Sequence, residues 1–137
     1  MAAESPDLLF VYGTLMPGHL RWGMLEGCAT AWAAASVPGA LWDTGHGWPA
    51  ARFEAGAGAG AARVPGWWVR IAPSALEQLL VALDAMEGIG DPPDPGVDPY
   101  VRVVVEVAGV GSAWAYHATR VGPGWRRIEL WAGQPEA

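Results

Sequence analysis

At 137 residues, 52% of them apolar, the chain is long enough for one domain with a proper core and too short for two ordinary ones. Fourteen acidic against eight basic residues, a net charge of −6, leave no basic stripe for a phosphate backbone, so nucleic acid is not an expected partner. The lone cysteine, Cys28, rules out an internal disulfide and a multi-cysteine metal site, and no apolar run approaches the roughly 18 residues that cross a bilayer.

Residues 8–12, LLFVY, are apolar at every position, as expected of a central strand covered on both faces and ended by Gly13. The following GTLMPG, residues 13–18, is a glycine-bounded loop whose backbone N–H groups lie outside any ladder and are free to converge on an anion such as a carboxylate or phosphate. Ordinary turn chemistry is the alternative, and a nucleotide has little support because neither GxGxxG nor GxxxxGK[ST] is present. Residues 19–27 are expected to form a short turn or helix with Leu20, Met24 and Leu25 inward. Residues 32–42 read as a strand that Pro38 and Gly39 interrupt, suggesting an edge or a bend. Residues 43–49 are a loop by composition, with His46 solvated. EAGAGAGAA, residues 54–62, carries no side chain large enough to build a core and reads as a flexible excursion between strands. Residues 64–71 then resume a strand.

Residues 73–88, PSALEQLLVALDAMEG, form the one well-specified helix. Ser74 is the expected N-cap with Glu77 as its capping-box partner, and Gly88 supplies the left-handed residue that ends the helix. Leu76, Leu79, Leu80, Leu83 and Met86 fall on one face, and Glu87 projects between Leu76 and Leu80; Glu77 and Asp84 lie toward the flank that solvent reaches. An ionised carboxylate in an apolar site costs several kcal/mol, so Glu87 must find donors, accept a raised pKa or sit at a cavity, unless the last turn frays and releases it to water.

Residues 89–99, IGDPPDPGVDP, exclude helix and interior strand; they suit a stiff pocket rim, with their aspartates as solvated turn residues. YVRVVVEV, residues 100–107, alternates Tyr100, Arg102, Val104 and Glu106 against four valines, a strand with one core face. Arg102 is available to a neighbouring strand. Residues 112–118 complete a hairpin through the turn at 109–111, with His117 read as a satisfied sheet histidine. The tail adds at most a short element through Trp125, Ile128 and Trp131. The nine tryptophans show no repeat period and are expected in the core and in pocket walls. Strands outnumber helices, an α+β pattern with a strongly bent or barrel-like sheet. A single domain over residues 1–137, ordered from about 8 to 131, soluble and not exported, is the expectation.

FVYGTLMPG at residues 10–18, LDAMEG at 83–88 and YVR at 100–102, in that order, resemble the gamma-glutamyl cyclotransferase-like family with its YGTL loop, LDxxEG helix end and following YxR strand. Residues 37–53, VPGALWDTGHGWPAARF, resemble the family's glycine-containing strand and proline-containing loop. The resemblance implies a small mixed β-barrel with flanking helices, needing no metal or cofactor, that releases 5-oxoproline from gamma-glutamyl amines or peptides. A lone cysteine is compatible with a reducing cytoplasm, and the sequence leaves monomer and homodimer both open. The resemblance also implies general acid/base catalysis by Glu87, the residue that the helical wheel isolates. Gly13, Thr14 and Leu15 would grip the substrate carboxylate or polarise the reacting carbonyl through their N–H groups, and Tyr12 and Tyr100 would line the site. Where many relatives have a glutamate after the glycine of the preceding strand, this chain reads Val64-Pro65-Gly66-Trp67-Trp68, and Trp67 is expected to reshape the leaving-group side. A non-catalytic module that binds a small ligand through the loop from Tyr12 to Leu15 is the alternative.

Overall fold

The computed structural model describes residues 6–54 and 61–131, so most of the expected excursion at 54–62 lies outside the described residues. Strand β1 (Leu8–Val11) is buried at all four positions. Alternation explains why: Leu9 and Val11 enter the core under helix α2 (Pro73–Met86), whereas Leu8 and Phe10 enter a second core with Val64, Val105 and Val107.

β1 is central, as its sequence anticipates, antiparallel to β4 (Arg63–Ile71) and parallel to β6 (Gly111–Ala118). β5 (Tyr100–Val107) forms the expected antiparallel hairpin with β6. β2 (Ala29–Asp43) pairs with β4 as far as Pro38 and with β3 (Pro49–Phe53) from Gly39 onward, and its end also takes β7 (Arg126–Ile128). The bend at Pro38 and Gly39 is therefore where one strand changes partner.

The order β3-β2-β4-β1-β6-β5 curls until β3 meets the end of β6. There Arg52 Nη1 donates to the Ala118 carbonyl at 2.6 Å, and the Phe53 N–H donates to His117 Nδ1 at 3.0 Å. Burial, and after it the Arg52 charge, lower the His117 pKa and favour the neutral ring that this acceptor role requires. The product is a nearly closed mixed β-barrel with, among the described residues, two helices, an α+β fold.

The first helix, α1 (Gly23–Glu26), is a single turn that buries Leu25. Contrary to expectation, Leu20 is 83% exposed and Met24 36% exposed. Successive turns run from Gly13 to Trp22, so helical spacing does not apply to Leu20, and one turn of helix cannot bury two faces. The start of α2 also differs from expectation. Ala72 sits at the N-cap without a side-chain cap, because Pro73 takes the first helical position that suits its fixed φ, and the Ser74–Glu77 box does not form. The far end is as written in the sequence: Gly88, at φ +79°, lets its own N–H reach Ala85 and that of Ile89 reach Asp84, a Schellman closure with Glu87 as the last residue.

Gly66 shows how closely β4 lies on β1. A Cβ there would overlap the Val11 carbonyl oxygen and press on the Phe10 ring at 2.9 Å. Gly66→Ala is expected to cost at least about 2 kcal/mol in urea unfolding, since backbone cannot rotate away as a side chain can; an unchanged midpoint would contradict this packing.

Candidate active site

Pairing between β1 and β6 lasts only two residues, Leu8 with Ala113 and Leu9 with Trp114. Past that point the Tyr12 hydroxyl spans between the segments, donating to the Tyr116 carbonyl at 2.6 Å. A cavity of about 400 Å³ opens here at the barrel mouth. All six residues singled out from the sequence, Tyr12, Gly13, Thr14, Leu15, Glu87 and Tyr100, line it.

The loop after β1 is braced by its carbonyls: Gly13 accepts from the Met16 N–H at 3.0 Å and Thr14 from the Arg21 N–H at 2.7 Å. The N–H groups of Gly13, Thr14 and Leu15 have no acceptor among the described residues, which leaves three donors at the cavity wall.

Glu87 arrives from the opposite element, at the end of α2. Burial raises its pKa to about 7; the Arg21 charge opposes that rise and the Asp84 charge adds to it, and no hydrogen bond contributes. Burial also pushes the Tyr100 hydroxyl up to about 12, helped by Glu87, while the Trp48 side chain acts as a hydrogen-bonding partner that lowers it. The Tyr12 hydroxyl is raised by burial first, then by Tyr100 and Glu87. Both tyrosines therefore stay protonated at neutral pH, Tyr12 as a wall tied to the core and Tyr100 as a hydroxyl at the cavity.

Asp84 is not the solvated flank residue expected from the wheel. Its carboxylate accepts from Arg102 Nε at 2.9 Å, from Arg102 Nη2 at 3.2 Å and from the Tyr116 hydroxyl at 2.7 Å, and both ionic side chains are only 24% exposed. Arg102, expected to pair with a strand, pairs instead with the helix and lays its guanidinium 4.3 Å from the Trp114 ring centroid. The LDAMEG and YVR motifs thus meet at one ion pair, which fixes the end of α2 against β5 and β6. Burial and then the Asp84 hydrogen bond raise the Tyr116 pKa well above its ordinary value.

Sequence reasoning missed Arg21 and Tyr116 at the cavity, and it expected tryptophans in pocket walls without singling out Trp48 and Trp125, the two that line this one. Arg21 and Trp48 arrive through loops that carry no periodic signal, and Tyr116 sits on a strand whose alternation marks a face but not a cavity. His46 is exposed as expected, yet it stands on the rim, 5.6 Å from Trp48 between ring centroids. Trp67 does not line the cavity; it packs against the core under α2 because its β4 position points to the helix side. The proline-rich loop contributes Pro99 alone to the wall, and Asp98 is buried, accepting from the Gly90 N–H at 3.0 Å and the Asp94 N–H at 2.8 Å, so that carboxylate holds the loop's shape. Among the described residues no group of three His, Cys, Asp or Glu side chains is placed to hold a metal ion. None of their helices is long and apolar enough to cross a membrane.

The family model described as Gamma-glutamyl cyclotransferase, AIG2-like matches residues 9–131. The chain belongs to the gamma-glutamyl cyclotransferase, AIG2-like family. No curated protein matches the sequence. Among solved structures, the uncharacterised protein PH0828 of Pyrococcus horikoshii is 17% identical with a TM-score of 0.61, over 90% of this chain and 86% of its own. An AIG2-like protein of Mus musculus is 19% identical with a TM-score of 0.57, over 91% and 87%. YkqA of Bacillus subtilis, 23% identical with a TM-score of 0.61, aligns over 91% of this chain, which spans only 39% of its length. These likenesses establish the family barrel, both as most of a chain and as part of a longer one.

The raised pKa of Glu87 makes folding pH-dependent. With a folded value of about 7 against an ordinary 4.5, the native state holds the proton more tightly, so this stabilisation is complete below the ordinary value and is lost as pH rises through about 7. Relative to Glu87→Gln, which does not titrate, the wild type is expected to lose up to about 3 kcal/mol between acid and neutral pH. Paired melting scans check this; a constant gap between the two proteins would refute it.

Proposed function

We propose that the protein is a gamma-glutamyl cyclotransferase-type enzyme, converting a gamma-glutamyl amine or peptide to 5-oxoproline with release of the amine. The observation that carries this reading is a carboxyl group with a pKa of about 7 lining the same cavity as three open backbone N–H donors. In the reaction the substrate's own α-amine attacks its γ-carbonyl carbon, forming the ring C–N bond, and the bond to the departing nitrogen then breaks. One proton leaves the attacking nitrogen and one is gained by the leaving nitrogen, so a single carboxylate serves as base and then as acid, and no water is consumed. A group that titrates near neutrality is well suited to both steps, worth roughly 10² to 10⁴ in rate.

Because the attack is intramolecular, holding the bent conformer supplies up to about 7 to 11 kcal/mol in favourable cases. The walls given by Tyr12 and Tyr100 suit that task. The N–H groups of Gly13, Thr14 and Leu15 are the donors available to a developing oxyanion.

Mass-spectrometric detection of 5-oxoproline from a panel of gamma-glutamyl amino acids, peptides and amines tests the reading. Turnover is expected from the wild type, rising with pH through about 7, and Glu87→Gln is expected to lose roughly 10² to 10⁴ of it. Panel members that bind without yielding product would replace the enzyme with a ligand-binding module.

A further inference from the structure

We propose that Arg21 is the anchor for the substrate's α-carboxylate, leaving the loop N–H groups to the reacting carbonyl. The inference rests on the gamma-glutamyl reading of the cavity and divides the two roles that the sequence leaves undivided.

Every gamma-glutamyl compound carries an α-carboxylate whatever its leaving amine, and removing that charge from water requires a cation or several donors. Arg21 is the only arginine among the described residues that lines the cavity, and the chain has no lysine. Other guanidiniums near the barrel mouth are committed: Arg102 is held by Asp84, and Arg52 donates to the Ala118 carbonyl. The Arg21 side chain makes one long hydrogen bond, from Nη1 to Thr14 Oγ1 at 3.4 Å, and no carboxylate of the described residues lies within ion-pairing distance of it. Most of the donors of a planar fork are therefore open beside a largely apolar cavity, the arrangement that suits bidentate recognition of a carboxylate.

Its position is not left to chance. The backbone N–H of Arg21 is tied to the Thr14 carbonyl at 2.7 Å, so the loop that offers the open N–H groups also sets where the guanidinium begins. A simpler role, as counter-charge to Glu87, does not account for the geometry: the two form no ion pair, and Glu87 keeps a raised pKa despite the Arg21 charge. Carboxylate bound at Arg21 would cancel that charge, so an occupied site makes Glu87 more basic than an empty one.

The test uses gamma-glutamyl methylamide, whose methylamide end carries no charge, against its α-carboxamide analogue, titrated calorimetrically into Glu87→Gln protein so that binding is read without turnover. The carboxylate form is expected to bind about 10- to 100-fold more tightly than the carboxamide. Adding Arg21→Gln should abolish most of that preference, and Arg21→Lys, which keeps the charge but not the fork, should retain part of it. Undiminished preference in both Arg21 variants, or no binding of the carboxylate form by the parent protein, overturns the proposal. A preference that depends on Arg21, with no 5-oxoproline formed by the wild type, upholds the anchor and removes the catalytic reading instead.

Discussion

The carboxylate of Asp84 is the interaction on which the site depends. By accepting two N–H groups of Arg102 and the hydroxyl of Tyr116, it joins the last turn of α2 to both strands of the β5–β6 hairpin. A half-buried ion pair of this kind adds little net stability over an apolar substitute, but losing one partner would strand a charge, so its chief effect is to fix position. The residue three further along is Glu87. With Arg102 and Tyr116 already taken by Asp84, Glu87 receives no hydrogen bond that would hold it ionised, and its neighbour's negative charge adds to the effect of burial. One acid is satisfied by partners and the next titrates near neutrality, at the same end of the helix.

The barrel supplies the opening. The parallel pairing between β1 and β6 lasts two residues before the strands part, and the Tyr12 hydroxyl bridges where the ladder stops. The loop that leaves β1 at this point has Leu15 and Met16 buried in the core; its carbonyls serve its own turns, and the N–H groups of Gly13, Thr14 and Leu15 are left at the cavity wall. Donors and acid thus come from a loop tied to its own turns and from a helix end tied to β5 and β6.

Much of this was legible in the sequence. The unbroken apolar run at β1, the alternation of β5 and the leucine face of α2 are patterns set by one element's own periodicity, and each matches the structure. Glu87 was legible for the same reason, since a helical wheel needs no tertiary information. What the sequence hid came from neighbours: Asp84 lies on the flank of the leucine face, yet β5 and β6 rise beside it and convert a solvated flank into an ion pair. Pro73 outcompeted a capping box that was locally well formed. Arg21 is brought to the cavity by a chain of turns with no period to read, and Trp67 is turned to the helix side by a strand register that composition does not reveal.

The central claim is that the fold holds the Glu87 carboxyl group poised between acid and base. Carbon-13 NMR titration of that side-chain carboxyl in the ligand-free protein measures it directly. The structure predicts a midpoint near 7, and a midpoint at the ordinary glutamate value of about 4.5 would mean that the group is solvated and the account of the site is wrong.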